Sequence, residues 1–298
     1  MLLAVLFWGG NFTFSKLALR EIPPLPFTAL RFAVGAVILV VVLFHRHGVH
    51  RPPPPLLRPL ILWGVVGNTI YQLCFIHGLA RISAINASLI LAGLPTVVTV
   101  TAGLLGLEQT SARHRWGLAA ATAGVLLVVL ARNPGGGPTD LVGDALMLTA
   151  IGCWTAYSLG IRTVAGRMNA LGLTTWTLLT GTPGLVLAGL PGLVALDWGR
   201  VSVTAWVGVG YATLLSLVAS YFLWSRSIQA IGAARTAMYS CAVPLVAALI
   251  AIGVLGERPT VAHAAGAALI IGGVWGSQGI RPGRFASAGV AGGEAGSV

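Results

Sequence analysis

Two copies of one pattern, each holding five apolar segments, constrain this chain more than any other feature of its sequence. Pro95, Glu108, His114, Gly117 and Gly124 each recur 149 positions later, as Pro244, Glu257, His263, Gly266 and Gly273. Apolar stretches lie at about 2–20, 26–44, 58–80, 84–106, 114–132, 143–162, 172–195, 202–224, 233–255 and 260–279. Each approaches the roughly 20 residues that an α-helix needs to cross a bilayer. An odd number of spans per copy makes the second copy enter the membrane from the opposite side, which is an inverted repeat. The expected fold is an all-α integral membrane protein of ten transmembrane helices, two inverted five-helix repeats around a central cavity. Its parts are a first repeat over 1–132, a linker loop over 133–142, a second repeat over 143–280 and a flexible cytoplasmic tail over 281–298.

Composition supports the bilayer and excludes several function classes. A mean hydropathy of +0.88 with 8% charged residues is more apolar than a water-soluble domain can bury. Ten spans and short loops use nearly all 298 residues and leave no room for a soluble catalytic domain. The net charge of +11 comes from basic residues standing singly or in small groups, without the aromatic-interleaved patch of a nucleic-acid binder. Placing the N-terminus in the cytoplasm puts Arg46, Arg51, Arg58, Arg113, Arg115, Arg162, Arg167, Arg226, Arg235, Arg281 and Arg284 inside. Only Arg20, Arg81, Arg132, Arg200 and Arg258 then fall outside, so the positive-inside bias favours both termini cytoplasmic. The opening run from Met1 has no basic n-region and reads as the first span, not as a signal peptide. Cys74, Cys153 and Cys241 all lie in apolar segments with no CxxC, which implies buried thiols and neither a disulfide framework nor a metal site. No cofactor is called for.

Polar residues inside the spans are the candidates for function. Positions i, i+3, i+4 and i+7 share a helix face. Trp8, Asn11, Phe12 and Ser15 group on the first span; Asn68, Tyr71, Gln72 and Phe75 on the third; Trp154, Tyr157 and Ser158 on the sixth; Tyr239 and Ser240 on the ninth. Polar groups facing lipid are costly, so these faces should turn into the bundle or a wet cavity. Isolated Ser, Thr and Asn often serve only to bond neighbouring helices. Aromatic walls with a few polar tips instead suit a small ligand. We therefore take Trp8, Asn11, Ser15, Lys16, Asn68, Tyr71, Gln72, Trp154, Tyr157, Tyr239 and Ser240 as candidate substrate-binding residues. Lys16 is the one lysine; it either snorkels to the interface or attracts a carboxylate. Arg31 reads as a residue of helix packing or of a buried hydrogen bond near Lys16's end of the bundle.

Pro95 and Pro244 fall near the centres of the fourth and ninth spans, where each removes a backbone hydrogen bond; they are the candidate hinges. Glu108 and Glu257 stand at matching loop starts, where a carboxylate complements a helix dipole and helps cap a helix N-terminus. Small-xxx-small spacings in the fifth span (Gly117/Ala121, Ala120/Gly124) and the tenth (Ala262/Gly266, Ala268/Gly272) point to close helix contact, as scaffold or as the surface of a homodimer. HExxH and GxSxG are absent and no two carboxylates share a span, which argues against an enzyme.

Several of these segments carry a resemblance. Trp8-Gly-Gly-Asn-Phe-Thr-Phe-Ser-Lys16, Pro26-Phe-Thr-Ala-Leu-Arg31-Phe, and the paired stretches Ile82-Ser-Ala-Ile-Asn-Ala-Ser…Pro95…Glu108 and Ile231-Gly-Ala-Ala-Arg-Thr-Ala…Pro244…Glu257 resemble the EamA family of the drug/metabolite transporter superfamily. The likeness covers about residues 1–280. It implies a ten-helix bundle with a central cavity that exports small metabolites across a bacterial inner membrane. The bacterial exporters of aromatic and neutral amino acids look closest. The implied partners are the bilayer and a small-molecule substrate, an amino acid foremost, bound by a monomer or homodimer. All seven acidic residues sit in loops, at span ends or in the tail, so the chain reads as a carrier without a carboxylate proton relay.

Overall fold

The apolar segments fold as helices, and no strand occurs among the described residues. In the computed structural model these are residues 1–48, 51–106, 112–130, 140–165, 167–231, 239 and 242–277. Glu108, Ser240, residues 133–139 of the expected linker and the whole of the expected tail lie outside them. The chain runs α1 (Leu2–Ala18), α2 (Pro24–His47), α3 (Pro54–Gly64), α4 (Tyr71–Arg81), α5 (Ala84–Leu91), α6 (Leu94–Leu104) and α7 (Ala112–Leu130). It continues through α8 (Leu141–Gly160), the single turn α9 (Arg162–Ala165), α10 (Ala170–Ala195), α11 (Val203–Gly210), α12 (Ser220–Ile231), α13 (Val243–Leu255) and α14 (Val261–Ser277). By length and composition, Pro24–His47, Pro54–Arg81, Ala170–Ala195 and Val203–Trp224 are each able to cross a membrane, with four shorter apolar helices beside them.

Local chemistry sets the helix ends. Proline opens α2 and α3 at positions where a missing amide costs nothing, while Ser83, Asp140, Asn169 and Ser202 cap α5, α8, α10 and α11 through their side-chain oxygens. The loop before α11 is tied to the end of α1 by Glu21. That carboxylate accepts from the Ser202 hydroxyl at 2.6 Å and the Ser202 amide at 2.7 Å.

Two irregularities each occur twice, at the spacing of the sequence repeat. Between α3 and α4 the helix widens to π geometry over Val65–Ile70; between α11 and α12 it does so over Tyr211–Ala219. A shift of 149 carries the first onto 214–219, within the second. The second irregularity concerns the hinge prolines. Neither kinks a continuous helix from its middle: the fourth span breaks at the turn Ala92–Gly93, and Pro95 enters the first turn of α6. Pro244 likewise enters the first turn of α13, after a turn at Ala242. The broken position is where a ring without an N–H fits without loss.

The small-residue face expected in the fifth span meets the tenth at Gly266 and Gly273, whereas Ala268 and Gly272, also expected there, are exposed and turn away. A Cβ added at Gly124 would lie 2.7 Å from the Gly266 carbonyl oxygen, and one at Gly273 would lie 2.5 Å from that of Gly117. The backbones of α7 and α14 therefore touch, as glycine-lined helix pairs in membranes do. Arg113, at the start of α7, donates from Nε to the Gly276 carbonyl at 2.8 Å and so closes the far end of α14.

Glu257 acts as a cap, but on a helix of the other half of the sequence. Gly256, with φ of 68°, turns the chain at the end of α13. Glu257 then reaches α5, accepting from the Ala84 amide at 2.7 Å and the Ile85 amide at 3.0 Å, while Ser83 accepts from the Asn86 amide. One residue along, Asn86 Oδ1 meets His263 Nε2 at 2.6 Å. The Thr260 amide donates to His263 Nδ1 at 2.9 Å, so the second ring nitrogen carries the proton given to Asn86. Three orphan amides of one helix are thus satisfied, two of them by a carboxylate 172 and 173 positions away. Lipid-facing surface is apolar, with Leu104, Val194, Val203 and Val261 all largely exposed.

Two measurements check these contacts. Glu257→Ala leaves the Ala84 and Ile85 amides without acceptors and should cost about 1–3 kcal/mol, read as a lower Tm of the detergent-solubilised protein; an unchanged Tm would refute the clasp. For Glu21, the bonds from the Ser202 hydroxyl and then its amide hold the carboxyl below its ordinary 4.5. Its stabilisation is complete above about pH 4.5 and fades as pH falls through the lower folded-state value. Glu21→Gln should flatten that acid limb of the Tm–pH curve, and an identical limb in both proteins would remove the tether.

Candidate functional site

A chain of aromatic rings crosses the interior. Phe12 of α1 meets Phe75 of α4 edge-on with centroids 5.9 Å apart; Phe75 stacks on Tyr71 at 5.9 Å. Tyr71 meets Trp154 of α8 at 4.9 Å, and Trp154 meets Tyr157 at 5.2 Å. The last ring ends on α10, where the Tyr157 hydroxyl lies 3.4 Å from Thr177 Oγ1. Tyr71 and Trp154 keep part of their surface open, whereas Tyr157 is buried. The widened turn before α4 makes room for this: a Cβ on Gly67 would run into the Tyr157 ring. Tyr221 of α12 completes the group, within electrostatic reach of both Tyr157 and Tyr71.

Three of the candidates predicted from sequence, Tyr71, Trp154 and Tyr157, are thereby brought together. Gln72, next to Tyr71, is buried with no partner for its Oε1. On α1, Ser15 donates to Asn11 Oδ1 at 3.3 Å, so these two satisfy each other. Trp8 packs on Trp224 at 5.1 Å and donates from Nε1 to the Ser216 carbonyl at 3.1 Å, inside the second π segment. Asn68 is engaged in packing, its Nδ2 donating to the Thr177 carbonyl at 3.0 Å. Lys16 lies at the end of α1 within reach of Glu257 and Arg20, apart from the rings. Tyr239 is 41% exposed and joins none of the aromatic pairs seen among the described residues.

Sequence reasoning missed two features. Arg31, read as a residue of packing or of a buried hydrogen bond, is buried with Nε and Nη1 unpartnered, and the Tyr221 and Tyr71 phenols act on it electrostatically. The available signal was a guanidinium two turns into an apolar span that holds no acid. The Asn86–His263–Thr260 network was the other. Its signal, a polar residue three positions into the fourth span, looked like ordinary interhelical bonding.

Comparison with known proteins agrees with this architecture. A solved crystal structure superposes with a TM-score of 0.67 at 20% identity, covering 92% of this chain and 94% of the other, a likeness that concerns the fold alone. The uncharacterized transporter YyaM of Bacillus subtilis is 25% identical over 281 residues, 92% of this chain and 91% of that protein. An uncharacterized protein of Pseudomonas aeruginosa is 29% identical over 261 residues, 86% of this chain and 85% of its own length. An uncharacterized transporter of Archaeoglobus fulgidus is 25% identical over 283 residues, 92% of this chain and 94% of its own. Residues 1–130 and 141–277 match the EamA-like transporter family, so a multi-pass membrane transporter is what the helices build, and the chain belongs to that family.

Proposed function

We propose that the protein exports small metabolites, amino acids with aromatic or neutral side chains foremost, by alternating access through a central passage between two inverted repeats. The observation that carries this reading is the meeting of Tyr71, Trp154 and Tyr157 from two helices, with the buried, unpartnered Oε1 of Gln72 in the same turn of α4 as Tyr71. Ring faces take an apolar or aromatic side chain, and a buried carbonyl oxygen without a donor suits an ammonium group. Asn11 and Ser15, which bond each other, and Trp8, which anchors α1 to the second π segment, line the approach. Lys16 sits toward one mouth and Tyr239 toward the opposite side of the path. Asn68 holds the wall in place from behind. The setting is a bacterial inner membrane with both termini cytoplasmic.

Movement would use the two broken spans. Pro95 and Pro244 start new helices after a turn, so each outer half can swing without breaking hydrogen bonds of its own. The small face of α7 packs on Gly266 and Gly273 of α14 within one chain, while Ala268 and Gly272 stay open to a second copy, so monomer and homodimer both fit. Of the described acidic residues only Asp144 is buried, and it lies in the first turn of α8. Among the described residues no carboxylate stands among the rings, which supports solute movement without a coupled ion.

Counterflow in proteoliposomes against a panel of amino acids tests the reading. Phenylalanine, tryptophan and neutral aliphatic amino acids should exchange without an imposed pH gradient. Trp154→Ala and Tyr71→Ala should each slow exchange about tenfold or more, the loss of a central aromatic contact. Replacing Pro95 and Pro244 together by Ala should slow turnover while binding persists. Absence of exchange for every amino acid, or strict dependence on a pH gradient, would overturn the assignment; normal turnover of the double variant would remove the hinges.

A further inference from the structure

Arg31 is a charge that the packing alone does not account for. It is 3% exposed, the eighth residue of α2, with its guanidinium carbon 5.7 Å from the Phe27 ring centroid and 5.4 Å from that of Phe32. The rings fix its position but accept no hydrogen bond of ordinary strength. Nε and Nη1 have no partner, and no ion pair to Arg31 occurs among the described residues. These two nitrogens belong to different edges of the guanidinium, so each two-pronged edge retains a free donor. Thr28, three residues earlier and hence on the same face, also leaves its hydroxyl unpaired. On other helices, Tyr71 and Tyr221 are near enough for their phenols to act electrostatically on the cation.

A guanidinium keeps its charge in a protein, and a buried charge with unmade hydrogen bonds is strongly unfavourable. The surrounding phenols offer dipoles and no counter-charge. An anion entering beside them would meet free donors, a fixed cation and neutral hydroxyls. Planar two-oxygen groups fit the guanidinium fork best. We propose that Arg31 is the anion subsite of the passage and takes the carboxylate of the transported solute, with the phenols of Tyr71 and Tyr221 nearby. The assignment rests on the transport reading above and narrows it to carboxylate-bearing solutes.

Binding to the purified full-length protein, read by thermal shift and by competition, tests the subsite with two matched probe pairs: phenylalanine against phenylalaninamide, and phenylacetate against phenylacetamide. Wild-type protein should prefer the acid of a pair by about 10- to 100-fold, the range of a charge-assisted hydrogen-bonded contact. Arg31→Gln should bring acid and amide within about twofold of each other, and Arg31→Lys should restore part of the preference. The wild-type comparison needs no variant, so a poorly folding Arg31→Gln protein does not blunt it. Equal affinity for acid and amide in both pairs, no binding of either acid, preference for inorganic phosphate over both acids, or acid preference surviving in folded Arg31→Gln would each overturn the subsite. Phenylacetate preferred over its amide, with no binding of phenylalanine, would leave Arg31 in place and sink the amino-acid reading instead.

Discussion

The requirement that every backbone polar group in lipid find its partner inside the protein governs the rest of this structure. A regular helix meets that requirement by itself; a broken or widened one does not. Among the described residues the chain nevertheless widens twice and breaks twice, and side chains in and around the widened stretches bond to backbone carbonyls. Trp8 donates to a carbonyl of the second π segment, and Ser220 donates to the Leu215 carbonyl at 2.8 Å in the same stretch. The first π segment supplies two donors to α10: Asn68 reaches the Thr177 carbonyl, and Thr69 reaches that of Gly181 at 2.6 Å. Irregular backbone at membrane depth survives only where protein or a cavity faces it, so the defects also mark the interior that matters.

The rings occupy that same interior. Because the turn before α4 is widened and carries Gly67, Tyr157 can approach the backbone of the third span. Its neighbour Trp154 is then set against Tyr71, and one local change in helical pitch determines where three aromatic side chains converge. The polar residues sort accordingly. Asn68 and Thr69 serve the scaffold, whereas Gln72 and Arg31 hold unspent hydrogen-bonding capacity beside the rings.

Much of this was legible in the sequence, and the limits have physical causes. Apolar length gave the helices, and the 149-residue recurrence picked out Pro244, Glu257 and His263, all of which matter. The convergence of Tyr71, Trp154 and Tyr157 followed from helical spacing, since each lies on the polar face of its span. Periodicity at 3.6 residues assumes a regular helix, however, and a π turn shifts the faces beyond it. Asn68 therefore looked equivalent to Tyr71 and Gln72 but faces α10. The prolines were placed at mid-span because hydropathy does not register the turn at Ala92–Gly93. Glu257 was recognised as a cap while its helix was not, because a contact spanning 173 residues depends on topology and leaves no local trace. Arg31 was undervalued for a related reason: whether a buried cation has a partner is a property of neighbouring helices, not of its own.

The clasp and the break together divide the fourth span into unlike halves. Every residue of α5 from Ala84 to Ile90 is buried, and its first turn is bonded to Glu257 and, through Asn86, to His263. Beyond the turn at Ala92–Gly93, α6 ends in Leu104 at 84% exposure, with no comparable polar anchor among the described residues. Moving α5 would strip acceptors from two backbone amides and break a buried histidine–asparagine bond, each costing on the order of 1–3 kcal/mol. Moving α6 about the turn breaks no such bond. If this span moves, its α6 half would therefore be displaced at less cost than α5, which would remain as the fixed wall.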